Sequence, residues 1–217
     1  MCNVYGPAGP RMVTERFAVR MPDETYKPGI GPWGRGPFIR VCADAAAEAV
    51  VGQWALIGDR DKKADNRPRM TNNARSEELA QKVTYKGPWA RGQRCLIPAA
   101  WYQEPCWEGG VHVPWHFRRA DGDLWGLAGL WNDWTDPVTG EIVPSYTMLT
   151  LNCDGHPLLA RMHKPDPKLP PDRQDKRAVV PVEPGDWSTW LMGTPEQAAA
   201  LVRVPPVEIF DAAPVQR

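Results

Sequence analysis

Prolines and glycines recur so often along this chain that they leave room for few long helices. The sequence has 24 prolines and 19 glycines in 217 residues, and they are dense in the passage Pro28–Pro37. Proline removes a backbone donor and glycine favours tight turns, so both residues interrupt regular structure. The sequence therefore predicts a loop-rich globule built mainly from short β-strands.

The stretches between these breaks are short and apolar, or alternate between apolar and polar residues, which is the pattern of β-strands. We predict strands at Phe38–Cys42, Gln53–Ile57, Cys95–Ile97, Trp101–Cys106, Val113–Arg118, Leu124–Trp131 and Tyr146–Leu151. The last three are joined by turns and are expected to form an antiparallel meander. Short helical segments are predicted at Asp44–Val50, Glu77–Lys82, Asp186–Met192 and Pro195–Val202. The tail, about residues 203–217, is expected to be peripheral or disordered.

The length suits one domain with a single core, and we expect residues 1–217 to form it. The formal net charge is +0, so no global basic field indicates nucleic acid, and any anion site must be a local patch. Five cysteines without a CxxC pair fit free thiols better than a disulfide framework or a zinc ribbon. The sequence shows no membrane-spanning run and no signal-peptide pattern, which predicts a cytoplasmic protein.

Cys2 follows the initiator methionine directly, and cysteine is small enough that Met1 is expected to be removed. The exposed residue then carries a thiol with a reference pKa of about 8.5 and an α-amine with one of about 7.7 to 8.0. The amine can attack an aldehyde to give an imine, which the thiol then closes into a five-membered thiazolidine ring. Taken alone, the position of Cys2 favours an ordinary cysteine that happens to sit early in the chain, because one residue is no motif.

The densest cationic stretch of the protein is Asp59–Arg75. Its cations are Arg60, Lys62, Lys63, Arg67, Arg69 and Arg75. Such runs are commonly solvated faces. At its end, Asn73 and Arg75 precede a predicted helix, where they can hold an anion or orient a nucleophile. A helix cap and a surface charge are the alternative interpretation.

Several titratable residues are further candidates. Glu104 lies among aromatic residues, and a carboxylate in apolar surroundings has a raised pKa and can act as a general acid or base; a strand glutamate facing water is the alternative. His156 and His163 follow the last predicted strand, and either can be the switchable base of a site. His112 and His116 have the spacing of a helical metal pair, but the local pattern is that of a strand, so we predict no metal site.

The order of these features resembles the SRAP family (SOS response-associated peptidase). The family pattern begins with Met-Cys and continues through a Trp-Gly-Leu-Ile-Pro strand and an Asn-Ala-Arg-x-Glu loop. A Cys-Leu-Ile-Pro-Ala strand ending in a glutamate follows, and a histidine closes the pattern. The corresponding segments here are Met1-Cys2, Trp54–Ile57, Asn73–Glu77, Cys95–Ala99 leading to Glu104, and His163. The resemblance covers almost the whole chain, and several ordered motifs are more specific than any one of them.

The resemblance implies an α+β fold in which a curved, mainly antiparallel β-sheet forms a barrel-like core with short peripheral helices. It implies that Cys2 forms a covalent thiazolidine crosslink with an abasic site in single-stranded DNA and so shields the lesion. Glu104 would assist opening of the sugar ring, Asn73 would hold the amine or the sugar oxygen, and His163 would shuttle a proton. The expected DNA-binding residues are Arg69, Arg75, Trp33, Trp54 and Trp101. No cofactor is implied, and we expect a monomer.

Two rival functions stay open on the sequence. One is an amino-terminal-nucleophile thiol peptidase or amidohydrolase, in which Cys2 attacks an amide and removes Met1 from its own chain. The other is a DNA-binding module in which Cys2 is only structural. His156 competes with His163 as the active-site histidine. A polar insertion at Pro167–Lys176 departs from the family pattern and suggests a divergent subgroup.

Overall fold

A computed structural model describes residues 2–42, 45–65 and 69–216 of the chain. The strands are β1 (Val4–Pro7), β2 (Arg35–Val41), β3 (Ala47–Trp54), β4 (Asn73–Arg75), β5 (Arg94–Cys106), β6 (Val113–Arg119), β7 (Trp125–Thr135), β8 (Ile142–Asn152), β9 (Arg177–Val179), β10 (Pro181–Val182) and β11 (Phe210–Pro214). The α-helices are α1 (Pro10–Phe17), α2 (Val83–Ala90), α3 (Trp187–Met192) and α4 (Pro195–Ala200). Within the described ranges, no helix is both long and apolar enough to cross a membrane.

Five of these strands close into a barrel in the order β7, β8, β3, β2, β5 and back to β7. Neighbouring barrel strands are antiparallel except β3 and β8, which run parallel. The other strands extend the sheet: β1 and β6 pair with β5, β4 and β9 with β8, β10 with β7, and β11 with β6. The predicted α+β class with a mainly antiparallel, barrel-like core is confirmed.

Successive residues of the barrel strands are buried on opposite faces of the sheet. On β2, Phe38 belongs to one core cluster and Ile39 to another, and on β5 the same holds for Ile97 and Leu96. Side chains alternate between the two faces of a strand, so one cluster fills the barrel and the other lies between the barrel and the helices. Strands buried on both faces read as apolar runs, which is how they appear in the sequence.

The helices cover the outer face of the barrel. Val13 of α1, Trp190 of α3 and Ala198 of α4 share a core cluster with Leu96 of β5. Nε1 of Trp190 donates a hydrogen bond to the carbonyl of Cys95 at 2.8 Å, which fixes α3 against β5. Short helices of this kind depend on such tertiary contacts for their stability.

Two predicted helices differ from the structure. Ala47–Val50 is not helical but begins β3, because pairing with β2 overrides the helix propensity of its alanines. Residue 44, the first of that predicted segment, lies outside the described residues. The predicted helix Glu77–Lys82 is a 3₁₀ turn at Ser76–Glu78, and the α-helix begins only at Val83.

The strand pairing also corrects the sequence prediction. β6 and β7 are not neighbours in a meander, because β5 lies between them and pairs with both. The two predicted strands Cys95–Ile97 and Trp101–Cys106 are parts of the single long strand β5. The tail is ordered at Phe210–Pro214, where β11 adds an edge strand beside β6.

Candidate active site

Cys2 precedes β1 and lies in the core cluster that fills the barrel, with no exposed surface. Its carbonyl accepts a hydrogen bond from Nδ2 of Asn73 at 2.7 Å and a longer one from Nδ2 of Asn72 at 3.5 Å. Its Sγ donates to the carbonyl of Val4 at 3.4 Å. Cys2 is therefore held by both its main chain and its side chain. Met1, whose removal the sequence predicts, lies outside the described residues.

Asn73 is the first residue of β4, which pairs in parallel with β8 and places Asn73 opposite Met148. The side chain is buried, and its Oδ1 has no hydrogen-bond partner among the described residues. The preceding residue, Asn72, anchors the strand because its carbonyl accepts hydrogen bonds from Nε1 of Trp54 at 2.7 Å and from the amide of Met148 at 2.9 Å. Asn73 thus fixes Cys2 with one amide atom and keeps a buried acceptor beside it.

Glu104 lies on β5 and is only 2% exposed. Burial raises the pKa of its carboxyl group from 4.5 to about 7. Both protonation states are therefore populated near neutral pH. A carboxyl group with this pKa can donate or accept a proton during a reaction in the physiological range.

His163 follows the 3₁₀ helix Leu159–Arg161 and has a left-handed backbone with φ of 62°. Its amide donates to the carbonyl of Pro105 at 2.7 Å, which holds this loop beside β5. Its Nε2 lies 3.3 Å from Oε2 of Glu104 and 2.9 Å from the carbonyl oxygen of Arg177. A carbonyl oxygen only accepts, so Nε2 carries the proton. Burial lowers the pKa of His163 to about 3, so the ring is neutral at physiological pH.

His156, the competing histidine, is used differently. Its Nδ1 accepts hydrogen bonds from the amides of Leu158 and Leu159 at 3.2 and 3.0 Å. Its Nε2 lies 3.0 Å from the carbonyl oxygen of Pro205. Both ring nitrogens are engaged by main-chain groups, so His156 ties two loops together, and the geometry favours His163 as the active-site histidine.

The thiol of Cys2 is protonated in the resting site. Burial raises its pKa above the ordinary value, and the nearby negative charge of Glu104 raises it further. The thiol of Cys153 responds in the same way. Burial raises its pKa to about 12, and the charge of Glu104 adds to the rise. The thiolate is the nucleophilic form of cysteine, so attack by Cys2 sulfur requires that a proton be removed first.

The predicted DNA-binding cations are paired with carboxylates. Nη2 of Arg75 lies 2.7 Å from Oδ2 of Asp175, although the arginine side chain is still 43% exposed. Arg69 is exposed and forms an ion pair with Asp61. Arg67, in the same cationic stretch, lies outside the described residues. A phosphate that binds Arg75 must therefore compete with Asp175.

The predicted DNA-binding tryptophans differ in exposure. Trp54 is completely buried, because β3 turns its ring into the barrel, where it packs edge-on against Tyr5 at 5.1 Å. Its indole nitrogen also donates to a main-chain carbonyl, so the prediction that Trp54 stacks on a base is wrong. Trp33 and Trp101 are half-buried, and Trp101 stacks on His116 with ring centroids 4.2 Å apart.

Three residues that support the site were not predicted from the sequence. Nζ of the buried Lys176 donates to the carbonyls of Met162 and His163, and Arg177 supplies the carbonyl that holds the His163 ring. Asn72 is the second amide at the Cys2 carbonyl. In the sequence, the only features that mark these residues are the adjacent cations Lys176 and Arg177 before an apolar run, and the position of Asn72 beside Asn73.

The two histidines with metal-ligand spacing each stack on a different tryptophan. His112 stacks on Trp107 with ring centroids 6.0 Å apart, and His116 stacks on Trp101. In the part of the chain that the structure describes, no group of three or more histidine, cysteine, aspartate or glutamate side chains is arranged to hold a metal ion.

The sequence model of a family described as SOS response associated peptidase (SRAP) matches residues 8–217. The chain is 26% identical over 156 residues to the abasic site processing protein HMCES of Gallus gallus. The aligned region covers 58% of this chain and 46% of the relative. It is 28% identical over 130 residues to the protein of the same name from Xenopus tropicalis, covering 51% and 39%. The chain spans less than half the length of these curated relatives.

Solved structures show the same fold over the full chain. A protein from Bordetella bronchiseptica is 33% identical, with a TM-score of 0.89 and complete coverage of both chains. A protein from Bacteroides thetaiotaomicron has a TM-score of 0.81 at 19% identity, covering 99% of this chain and 92% of the other. The second likeness concerns the fold alone.

Proposed function

The chain belongs to the SOS response-associated peptidase (SRAP) family, and we propose that it processes abasic sites in single-stranded DNA by linking them covalently to Cys2. The curated relatives that it matches are named for abasic site processing. The observation that carries the proposal is the position of Glu104. This buried carboxyl group has a pKa of about 7, lies 3.3 Å from His163, and is close enough to raise the pKa of the Cys2 thiol.

The first step is opening of the abasic sugar, which otherwise exists mainly as a closed hemiacetal without a reactive aldehyde. Protonated Glu104 donates its proton to the ring oxygen as the bond from that oxygen to the anomeric carbon breaks. The proton of the anomeric hydroxyl is passed by the imidazole of His163 to water, since burial keeps the resting ring neutral. The product is the open aldehyde.

The covalent steps use both nucleophiles of Cys2 after Met1 has been removed. The α-amine attacks the aldehyde carbon, and the adduct loses one water molecule to give an imine. The sulfur then attacks the imine carbon, and the thiol proton moves to the nitrogen. A positively charged, protonated imine next to the thiol favours ionisation of the sulfur, which offsets the raised pKa of the buried thiol. The result is a thiazolidine that joins protein and DNA.

Other residues position the substrate. Asn73 fixes the Cys2 carbonyl and offers its buried Oδ1 as an acceptor for the α-amine or a sugar hydroxyl. Arg75 and Arg69 neutralise phosphates in exchange for their present carboxylate partners. Trp33 and Trp101, each half-buried, contact flanking bases.

A thiol peptidase is supported less well by the same site. Such an enzyme needs a thiolate before substrate is attacked, whereas burial and the charge of Glu104 raise the pKa of the Cys2 thiol. In the aldehyde reaction the amine attacks first, so a protonated thiol is no obstacle at the start. The geometry therefore supports the crosslinking reaction better.

The proposal is tested by mixing the protein with a single-stranded oligonucleotide that contains one abasic site and heating the product in denaturing gel buffer. Wild-type protein should give a heat-stable band of slower mobility. Cys2→Ala and Cys2→Ser keep the amine but lack the thiol, so each should give no heat-stable band unless the imine is first reduced with borohydride.

The matched control is Cys42→Ser, because Cys42 is a half-buried cysteine that forms no disulfide and directly follows β2. It should crosslink like wild type. Absence of a wild-type band in protein whose intact mass shows that Met1 is gone would contradict the proposal. So would a band of full intensity with Cys2→Ala in the absence of borohydride.

A further inference from the structure

A cavity of about 590 Å³ adjoins the proposed active site and is lined in part by His163. Trp107 and Glu108, which follow β5, line one side of it. The loop Pro165–Lys176, which includes the polar insertion predicted from the sequence, lines another. Because His163 itself lines the cavity, a DNA strand that presents its abasic sugar to Cys2 and His163 passes its neighbouring nucleotide into or across this space.

The loop that forms this wall is ordered in advance by one side chain. Nε2 of Gln174 donates to the carbonyls of Leu169 and Pro170 at 3.0 and 2.8 Å. Oε1 of Gln174 accepts from the amide of Asp166 at 2.8 Å. Three backbone groups and several prolines thus fix the loop around Gln174. A preformed wall can bind a ligand without the entropy cost of ordering it.

Trp107 is the aromatic surface of the cavity. It is half-buried, and Nζ of Lys164 lies 5.5 Å from its ring centroid. Trp107 also lines a second hollow of about 280 Å³, together with Asn3, the residue after Cys2. The indole therefore stands between two open spaces, one reaching His163 and the other reaching the main chain next to Cys2.

The other lining groups suit a nucleotide. Leu169 is 40% exposed and presents an apolar surface within the same cavity. Arg161 lines the cavity, where it pairs with Glu108, and Nζ of Lys164 lies over the Trp107 ring, so two cations lie within reach of a backbone phosphate. An aromatic face combined with a cationic edge is the arrangement that binds single-stranded nucleic acid without sequence preference.

We propose that this cavity, the Trp107 cavity, binds the nucleobase adjoining the abasic site, stacked on the indole of Trp107 between Lys164 and Leu169. This inference rests on the proposed function, because it places the abasic sugar at Cys2 and His163. It assigns a base-binding role to Trp107, which takes over the stacking role that the buried Trp54 cannot perform. Stacking on an aromatic face is tolerant of base identity, so the site should accept any of the four bases.

The test uses an oligonucleotide with a tetrahydrofuran abasic analogue, which has no aldehyde and cannot crosslink. Fluorescent 2-aminopurine is placed on one side of the analogue in one strand and on the other side in a second strand. Wild-type protein should quench the fluorescence on one of the two sides. Trp107→Ala should abolish the quenching and weaken binding about tenfold to a hundredfold, and Trp107→Phe should keep most of both.

Trp131→Ala is the matched control, because Trp131 is also half-buried beneath a cation, Arg40, at 4.3 Å. It should quench and bind like wild type. Leu169→Asp is a second variant at an exposed position, which puts a negative charge into the cavity without removing a core side chain, and it should also weaken binding. Unchanged quenching in Trp107→Ala, or an equal loss in Trp131→Ala, would overturn the inference.

A parallel set of strands with a true abasic site separates this inference from the proposed function. If wild-type protein crosslinks but the quenching does not depend on Trp107, the cavity assignment is overturned and the proposed chemistry stands. If the quenching depends on Trp107 but no crosslink forms, the proposed chemistry is overturned and the cavity assignment stands.

Discussion

Nε2 of His163 lies 3.3 Å from Oε2 of Glu104, in a site where both side chains are largely shielded from water. Burial raises the pKa of Glu104 to about 7 and lowers the pKa of His163 to about 3. The pair is therefore not an ion pair at neutral pH. It is a neutral imidazole beside a carboxyl group that gains and loses its proton in the physiological range, which is suited to moving protons on a sugar hydroxyl.

The rate of crosslinking is predicted to follow a bell-shaped pH profile. Glu104 must be protonated to donate to the ring oxygen, so the rate falls as the pH rises above about 7. The α-amine must be unprotonated to attack, and its reference pKa is about 7.7 to 8.0, so the rate also falls on the acid side. Single-turnover rates with excess protein, measured across the neutral range, provide the check.

Glu104→Gln should lose the alkaline limb of this profile, because glutamine does not titrate. Its rate should be lower throughout and should only rise with pH as the amine loses its proton. Glu141→Gln, at an exposed position directly before β8, is the control and should keep the bell shape. An alkaline limb that persists in Glu104→Gln would show that another group supplies the proton.

Glu104→Gln is also predicted to stabilise the fold at high pH. The folded chain binds the proton of Glu104 more tightly than the unfolded chain, with a pKa of about 7 against 4.5. The free energy of unfolding of the wild type therefore falls as the pH rises between these two values, by an amount on the order of 3 kcal/mol. In urea denaturation, the advantage of Glu104→Gln should be largest above pH 7 and shrink as the pH falls through about 5. An advantage that does not change with pH would contradict a raised pKa of Glu104.

Short motifs were enough to name Asn73, Glu104 and His163 as neighbours of Cys2, and the structure contains the contacts that link them. The prediction that Trp54 stacks on a base was wrong for a simple reason. A motif identifies a residue type and its order in the chain, but it does not say which face of a strand carries the side chain. The role of Lys176 in holding the His163 loop could not be predicted from the sequence either, because its side chain contacts main-chain carbonyls, which any residue type supplies.

Asn73→Ala is predicted to slow crosslinking by about tenfold to a hundredfold, because the loss of a buried hydrogen bond costs about 1–3 kcal/mol. The lost bond is the one that holds the Cys2 carbonyl at 2.7 Å. Noncovalent binding to the tetrahydrofuran analogue should change little, because Asn73 holds Cys2 and the analogue has no anomeric hydroxyl for Oδ1 to bind. Single-turnover rates and fluorescence anisotropy measure the two quantities separately.

Asn72→Ala provides an internal comparison, since its side chain reaches the same carbonyl over a longer distance of 3.5 Å. It should slow the reaction less than Asn73→Ala. Equal effects on rate and on binding in Asn73→Ala would indicate a contact with DNA instead of a positioning role.

Arg75→Ala is predicted to weaken DNA binding and to reduce its salt dependence. The removal of one phosphate contact on a single strand should lower the slope of log K against log salt by about 0.7. Asp175→Asn should have the opposite effect on affinity, because it removes the carboxylate that lies 2.7 Å from Arg75 and competes with the phosphate. Binding titrations at several salt concentrations test both variants.

The control for these titrations is Arg11→Ala, because Arg11 is an exposed arginine on α1 that is also paired with a carboxylate, Glu15. It should leave the salt slope unchanged. The same change of slope in Arg11→Ala and Arg75→Ala would mean that only the total charge of the protein matters.

The fold was predictable at the level of class and of individual strands, because apolar runs bounded by proline and glycine mark them locally. The pairing was not, because β5 contacts β1, β2 and β7 through residues that lie far apart in the chain. The alanine-rich start of β3 shows the same limit, since its partner strand decides its conformation.

The most direct test of the central claim counts free thiols in the crosslinked protein. The chain has five cysteines, and a thiazolidine consumes the thiol of one of them, Cys2. After denaturation and treatment with iodoacetamide, the free protein should carry five alkyl groups by mass spectrometry. The crosslinked protein should carry four, with Cys2 unmodified, and its mass should equal protein plus DNA less one water molecule. Alkylation of all five cysteines in the crosslinked protein would contradict the account.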